Sequence, residues 1–593
     1  MQLAFVDFLI IGFYFLFVLL VGVLYARRAG KGIDEYFVSG RNLPWWIIGT
    51  SMVATTFATD TPNLIANIVR THGVSGNWIW WAFLLTGMVT VFFYAKLWRR
   101  SEALTDIGFY EMRYSGKAAA FLRGFRALYL GVCFNVIVMA TVTLAAIKIS
   151  SIVLGLDKYT TILTCGIVTA IYSCTAGLWG VVITDLFLFI MAMAGSIGAA
   201  YYCLGLPEVG GLSGLLAHPN VSGSLSILPD FGSPEGWKEA IPIFIIPFAV
   251  QWWSVWYPGA EPGGGGYVAQ RMLAAKDEKN ALLATLWFNV AHYAIRPWPW
   301  ILVALCSMIV FPDLASIQSR FPNVPAKLIG HDISYPAMMT LLPAGLLGLV
   351  MASLAAAYMS TISTHLNWGA SYVIDDFYKR FICPDAEPHH YVTVARIVTV
   401  VLMVLACSLT FLLDTALQSF QILLQIGAGT GLIFMLRWFW WRINAWSEIS
   451  AMTVSFLIAL YFEFIHVQVL HYAEMENWLK LVIGVGITTV TWVIVTFVTP
   501  PTEKSVLQSF YDKIQPMGPG WSKAVQTSDV TQNDNFTAPI LAVFLGMTAV
   551  YSALFSIGFF LYGNNVLATF LAGTCAISSV GILKILPRMN WRD

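Results

Sequence analysis

Residues 51–62 carry oxygen atoms that suit the binding of an alkali cation. Four threonines and Asp60 lead up to Pro62 in this otherwise apolar stretch. Proline cannot donate to the helical hydrogen-bond ladder, and it disfavours helix at the residue before it. An interrupted helix would release the backbone carbonyls near Ala54 and Phe57, and a bound cation is one partner for such carbonyls inside a membrane. The alternative is a proline kink with threonine hydroxyls bonded back to the helix.

A second stretch, residues 351–367, carries a stripe of small and hydroxyl side chains. Ala357, Ser360, Thr361 and Thr364 are spaced so that they share one helix face, and Ser363 lies at its margin. Their hydroxyl oxygens are hard, neutral ligands that suit Na⁺. The alternative is close packing of a small-residue helix against a neighbour. Together, the two stretches predict a sodium site more specifically than either does alone.

Carboxylates are costly inside a membrane, which makes Asp60 and Asp185 functional candidates. Asp60 could accept hydrogen bonds from hydroxyls or pair with an ammonium group. Asp185 follows Thr184 near the start of an apolar run, and a plainly solvated carboxylate is its alternative interpretation.

His389-His390 has no third metal ligand nearby, so no metal site other than sodium is expected. Residues 263–266 are four glycines without the pattern of a phosphate loop, and they predict a flexible turn.

The composition predicts which kind of element positions these residues. The chain has 593 residues, of which 58% are hydrophobic and only 11% charged. A soluble protein has about 25% charged residues, so an ordinary soluble enzyme and a disordered scaffold are excluded. The net charge of +1 gives no basic signal for nucleic acid. The sequence predicts an all-α polytopic membrane protein whose partners are the lipid bilayer and a small-molecule solute, with no obligate protein partner evident.

Apolar runs of about 20 residues, the length that crosses a bilayer core, predict fifteen transmembrane helices. The predicted spans are 5–25, 44–68, 77–97, 125–153, 159–175, 178–204, 240–258, 280–310, 338–374, 392–413, 416–436, 445–465, 478–499, 539–561 and 564–585. With the N-terminus outside and the C-terminus in the cytoplasm of a plasma or inner membrane, 25 of the 33 Lys and Arg residues fall on cytoplasmic segments. This bias favours the odd number of spans and the orientation.

Four stretches in this order resemble the sodium:solute symporter family, whose members include sodium-coupled sugar, proline and sialic-acid transporters. They are residues 34–57, 175–185, 270–277 and 359–378. The resemblance implies a LeuT-type fold with two inverted five-helix repeats. It divides the chain into an N-terminal helix and loop (1–43), the first repeat (44–204), an extracellular loop (205–239), the second repeat (240–444), peripheral helices (445–499), a cytoplasmic loop (500–538) and two last helices with a tail (539–593).

The resemblance also implies two groups of sodium ligands. The main site would use the carbonyls of Ala54, Phe57 and Ala357 and the hydroxyls of Ser360 and Thr361. Some family members have a second site, which here matches Asp185, Ser360, Ser363 and Thr364. Leu188 departs from the glutamine common at its position, and residues 258–266 form an unusual insertion. Sialic-acid transporters bind carboxylate with an arginine where this chain has Asn135, so strongly anionic solutes are disfavoured.

The predicted function is Na⁺-coupled uptake of a small polar solute, of the sugar, polyol or amino-acid type, by alternating access. The predicted solute-binding residues are Thr56, Asp60, Thr61, Asn135, Trp252, Trp253 and Trp256. Core or interfacial packing is the alternative role of each tryptophan. Two other functions remain open at this point: a sodium-independent uniporter or channel, and a sensor on a transporter scaffold. No catalytic residue is expected.

Overall fold

The computed structural model describes residues 3–29, 39–254, 261–413, 415–525, 536–589 and 591. Their regular structure is helical, apart from an isolated β-bridge between Leu43 and Ala275. Trp256, residues 34–38 of the first family stretch, residues 258–260 of the insertion and residues 526–535 of the predicted cytoplasmic loop lie outside the described ranges.

The main helical segments follow the apolar runs of the sequence. The first eight are α1 Phe5–Ala29, α2 Trp45–Thr55, α3 Asp60–His72, α4 Val74–Ser101, α5 Gly116–Val153, α6 Lys158–Leu204, α7 Gly266–Leu273 and α8 Glu278–Val310. The others are α9 Leu346–Ile382, α10 Pro388–Leu412, α11 Ala416–Ile426, α12 Gly431–Phe439, α13 Ala445–Glu463, α14 Asn477–Val498, α15 Thr537–Leu561 and α16 Asn565–Arg588. Shorter helices are Phe109–Arg113, Gly211–Ala217, Pro219–Ser222, Pro234–Ala240, Ile246–Ala249, Leu314–Arg320, Ser334–Met339 and Lys504–Ile514.

Within the described residues, 11 helices are long and apolar enough to cross a membrane, or 12 if α11 and α12, bent by 47°, form one span. The prediction of an all-helical, polytopic membrane protein is confirmed. Four predicted spans, 44–68, 159–175, 240–258 and 416–436, do not pass this test as single helices, and the last of them corresponds to the bent pair α11 and α12. The number fifteen therefore stays a prediction.

The 47 residues of α6 are assigned as one helix, which would be about 70 Å long if it were straight. A bilayer core is only about 30 Å thick. The hydroxyls of Tyr172 and Thr184 lie 2.9 Å apart, although a straight helix would separate these residues by about 18 Å along its axis. The backbone therefore bends sharply between Tyr172 and Thr184, close to the predicted boundary at residues 175–177.

Helix α9 is buried along most of its length and packs against α1, α5, α6 and α10. It begins at Leu346, after Gly345 at φ 88°, rather than at residue 338, because Ser334–Met339 forms a separate short helix. The carboxylate of Asp7 in α1 accepts hydrogen bonds from the backbone N–H groups of Gly345 and Gly348, both at 2.7 Å. An acceptor at a helix N-terminus satisfies unpaired N–H groups, so α1 fixes the start of α9.

The glycine-rich segment after the seventh predicted span forms a turn, as predicted, with Gly264 N–H donating to the Glu261 carbonyl at 2.8 Å, and this turn is buried. Gly263 and Gly264 have φ of 88° and 82°, a region that non-glycine residues rarely adopt. The Gly263 N–H donates to the Thr90 hydroxyl at 3.2 Å, and its carbonyl accepts from the Trp98 indole at 2.6 Å. Tight packing against α4 therefore requires glycine here.

Glu261 anchors the same segment to α5. One guanidinium nitrogen of Arg126 donates to both carboxylate oxygens of Glu261 at 2.6 Å, and both side chains are buried. The Arg126 guanidinium also lies 4.2 Å from the ring centre of Phe434 in α12. The pair thus joins three parts of the chain that are distant in sequence.

Replacing Glu261 by glutamine should lower the stability of the purified protein by about 3–5 kcal/mol, because Arg126 would remain buried without its counter-charge. Thermal unfolding in detergent measures the effect. Glu235→Gln, the same change at an exposed helix position, is the control. Equal melting temperatures for the two variants would contradict the structural role of the pair.

Candidate functional site

The predicted interruption of the second span is confirmed. Helix α2 ends at Thr55 and α3 begins at Asp60, so Thr56–Thr59 are non-helical. Pro62 lies in the first turn of α3, where its missing N–H leaves no intrahelical bond unmade. The proline therefore favours a new helix start at this point rather than a kink within one continuous helix.

The released carbonyls find different partners. The Thr55 carbonyl accepts from the hydroxyl of Thr361 in α9 at 2.9 Å, and the Thr56 carbonyl accepts from Arg296 in α8 at 2.6 Å. No backbone hydrogen bond from the described residues reaches the Phe57 carbonyl. Thr59 donates across the same interface to the Leu354 carbonyl in α9 at 3.0 Å. The interruption thus lies directly against the hydroxyl-lined face of α9.

All five predicted ligands of the main sodium site are buried. Thr361 is in direct contact with the interruption, as described above. Ser360, the next hydroxyl on α9, donates to the carboxylate of Asp185 in α6. The structure therefore brings together the interrupted helix, the α9 hydroxyls and Asp185.

Asp185 has a charged partner that the sequence analysis missed. Arg271 of α7 is fully buried, and its guanidinium lies 3.8 Å from the Asp185 carboxylate. It donates to the hydroxyls of Ser51 and Thr364, both at 3.1 Å, and Ser51 donates to Asp185 at 2.5 Å. Two polar groups of the predicted second sodium site, Asp185 and Thr364, thus already contact an internal cation. The hydroxyl of Ser363, another residue of that predicted site, donates to the Ser360 carbonyl of its own helix at 3.1 Å.

A cavity that opens to solvent adjoins the interrupted helix. Its volume is about 730 Å³ when the open space at its mouth is included. It is lined by Thr56, Ala58, Asp60, Thr61, Leu64, Ile65, Trp80, Val138, Thr141, His292, Arg296, Phe420 and Leu423. Three predicted solute-binding residues, Thr56, Asp60 and Thr61, belong to this lining.

Asn135, Trp252 and Trp253 are not part of the lining. The Asn135 amide is buried against α9, where it donates to the His365 carbonyl at 2.7 Å and its oxygen lies 2.5 Å from His365 Nδ1. The cavity instead contacts α5 further along, at Val138 and Thr141. Trp252 and Trp253 lie on a short 3₁₀ turn, and the Trp252 carbonyl accepts from Thr86. Trp256 lies outside the described residues.

His292 and Arg296 line the cavity but were missed as site residues. His292 lies in a π-helical turn of α8, Ala291–Ile295, and Arg296 directly follows that turn. Arg296 lies 3.3 Å from His292 Nε2, and because arginine only donates, this contact assigns the His292 proton to Nδ1, which lies 3.1 Å from the Thr56 hydroxyl. Two ionisable residues four apart within an apolar span were a signal for this site.

Comparison with known proteins places this geometry in a family. The model of the sodium:solute symporter family matches residues 36–455. The chain belongs to the sodium:solute symporter family. A sodium/glucose cotransporter of Vibrio parahaemolyticus is 25% identical over 478 residues, which cover 78% of this chain and 86% of that protein. The human sodium/myo-inositol cotransporter 2 is 26% identical over 555 residues, which cover 84% of this chain and 78% of that protein.

A solved structure agrees with the fold of this family member. A Na⁺-coupled sialic acid symporter in a substrate-bound, outward-open state aligns with a TM-score of 0.63 at 20% identity, over 84% of this chain and 99% of that chain. Family membership makes the protein a sodium-coupled symporter of a small polar solute, not an enzyme, and Na⁺ is its coupling ion. The predicted transporter function is confirmed at this level.

Asp185 and Arg271 should be energetically coupled, because loss of either leaves the other as a buried charge with fewer partners. In sodium-free buffer, Asp185→Asn and Arg271→Met should each lower the melting temperature. The double variant should be more stable than the sum of the two effects predicts, by about 1 kcal/mol or more. Arg271→Met combined with Asp332→Asn, at a carboxylate paired with Lys148 instead, should be additive. Additivity in both pairs would contradict the coupling.

Proposed function

We propose that the coupling Na⁺ binds between the interrupted helix and α9, on the carbonyls of Ala54, Phe57 and Ala357 and the hydroxyls of Ser360 and Thr361. The hydrogen bond from Thr361 to the Thr55 carbonyl is the observation that carries this proposal, since it brings oxygens of both segments within hydrogen-bonding distance. The Phe57 carbonyl, which no backbone donor among the described residues reaches, supports it. Rotation of the serine and threonine hydroxyls would turn their lone pairs toward the ion.

The five ligands are neutral, so the positive charge of the ion needs a nearby compensating charge. Asp185, whose carboxylate accepts a hydrogen bond from Ser360, is the acidic group next to these ligands, and it shares its charge with Arg271 at 3.8 Å. A second Na⁺ on Asp185, Ser360, Ser363 and Thr364 would have to share that carboxylate with Arg271. The second site therefore requires movement of the guanidinium, while the main site does not.

The proposed architecture is the LeuT type, with inverted five-helix repeats at residues 44–204 and 240–444. Discontinuous helices at corresponding positions of two halves are typical of such transporters. The first repeat begins with the pair α2 and α3. The second begins with short pieces that end at Ala249, followed by the 3₁₀ turn Gln251–Trp253 and later by α7. The remaining predicted divisions, 1–43, 205–239, 445–499, 500–538 and 539–593, lie outside the repeats.

Transport would proceed by alternating access. Na⁺ would tie the interrupted helix to α9, and the solute would then bind in the cavity beside Asp60. With the N-terminus outside and the C-terminus in the cytoplasm, entry of one Na⁺ at 100 mV supplies about 2.3 kcal/mol. A tenfold sodium gradient adds about 1.4 kcal/mol.

Sodium should raise the melting temperature of the purified protein relative to an equal concentration of K⁺, because a ligand that binds only the folded state stabilises it. Ser360→Ala and Thr361→Val should lose most of this sodium-dependent difference, since each removes one ligand oxygen. Ser450→Ala is the matched control, because the Ser450 hydroxyl donates only within its own helix. A full sodium effect in both α9 variants would contradict the proposed site.

A further inference from the structure

The hydroxyl, indole and imidazole groups of the cavity lining already donate hydrogen bonds within the protein. Every polar side chain of the lining other than Asp60 already donates a hydrogen bond within the protein. Thr56 donates to the Val53 carbonyl, Thr61 to the Thr56 carbonyl, Trp80 to Asn77, Thr141 to the Ile137 carbonyl, and both His292 and Arg296 to Thr56. A solute that needs a hydrogen bond from a threonine hydroxyl, the Trp80 indole or the His292 imidazole would have to break one of these bonds.

Asp60 is the exception, because its carboxyl group is incompletely paired. Its Oδ1 atom is buried and has no hydrogen-bond partner among the described residues. A buried carboxylate oxygen without a donor is unfavourable by about 1–3 kcal/mol or more. The side chain lines the cavity, so a solute can supply the missing donor.

Arg296, the positively charged side chain of the lining, makes hydrogen bonds with Thr56 and His292 rather than with Asp60. Its guanidinium donates to the Thr56 carbonyl and hydroxyl and to His292. It lies 5.9 Å from the ring centre of Phe57 and 5.5 Å from that of Trp300. Arg296 thus holds the interrupted helix in place and leaves Asp60 Oδ1 without a donor.

The rest of the lining is apolar and aromatic. Ala58, Leu64, Ile65, Val138, Phe420 and Leu423 form it together with the ring of Trp80. Such a wall favours an apolar body, and an aromatic face also attracts a cation.

We infer that the transported solute carries an ammonium group on a small apolar body, with the ammonium bound to the Asp60 carboxylate. An ammonium only donates hydrogen bonds, which matches the Asp60 Oδ1 atom, a buried acceptor without a donor among the described residues. A sugar or polyol both donates and accepts through every hydroxyl, so several of its oxygens would lack donors here. This inference rests on the proposed function, because it assigns the solute of the same site.

Matched pairs of compounds test the solute class by thermal shift of the full-length protein in Na⁺ and in K⁺. Cyclohexylamine is compared with cyclohexanol, and 3-methylbutylamine with 3-methylbutan-1-ol; glucose and myo-inositol serve as polyols. At least one of the two amines should stabilise the protein, chiefly in Na⁺, while its hydroxyl analogue and the polyols should not. The affinity for that amine should fall at least tenfold in Asp60→Asn.

Asp157→Asn is the matched control, because Asp157 is an exposed helix cap, a role that asparagine fills equally well. Asp60→Glu keeps the charge and should retain part of the amine affinity, and melting of the Asp60→Asn protein without solute shows whether it is folded. Stabilisation by the hydroxyl analogues or polyols instead of the amines, or undiminished amine affinity in Asp60→Asn, would overturn the inference.

The same measurement separates this inference from the sodium proposal. If Na⁺ alone stabilises the protein but neither amine adds to that effect, the solute class is wrong and the sodium site stands. If Na⁺ has no effect in the absence of solute but an amine binds through Asp60, the solute class stands and the sodium site is wrong.

Discussion

The structure depends on one constraint: backbone carbonyls freed by an interrupted helix inside a membrane must find partners. Between α2 and α3 these carbonyls face α9 and α8, and side chains of both helices reach them. The contact with Thr361 bears on function because it joins a carbonyl to a hydroxyl, and both groups can also coordinate an alkali cation. The interruption thus costs the helix backbone hydrogen bonds, and it also provides the carbonyls that make ion binding feasible. Packing of α1 against the start of α9 holds the opposing face in position.

Buried charges around this centre are paired, and the pairs join segments that are far apart in sequence. Arg126 with Glu261, Lys148 with Asp332 and Arg271 with Asp185 are examples. A buried charge without a partner is strongly destabilising, so each pair restrains the relative position of two elements. Asp60 differs, because among the described residues its carboxylate forms no ion pair within 4 Å and its Oδ1 atom has no donor. This contrast distinguishes a residue that serves the fold from one that is available to a ligand.

Much of the helical architecture follows from the sequence, because apolar run length and proline position act locally. The interruption before Pro62 and the hydroxyl face around Ser360 are of this kind. The partners of these residues are not local. Arg271 lies on a short helix whose placement against Asp185 depends on the whole tertiary fold, and Asn135 turns toward His365 rather than the cavity because α9 offers it a partner. Trp252 and Trp253 were predicted to bind the solute, yet the helix ends before them and they lie on a 3₁₀ turn. His292 and Arg296 could have been found by the rule that ionisable residues within spans have functional roles.

The central claim is that oxygens of the interrupted helix and of α9 enclose Na⁺, and equilibrium binding of ²²Na⁺ to the purified protein tests it most directly. The account predicts saturable binding that unlabelled Na⁺ displaces and K⁺ does not, and that disappears when both the Ser360 and Thr361 hydroxyls are removed. Absence of saturable binding, or binding that persists without both hydroxyls, would contradict the account.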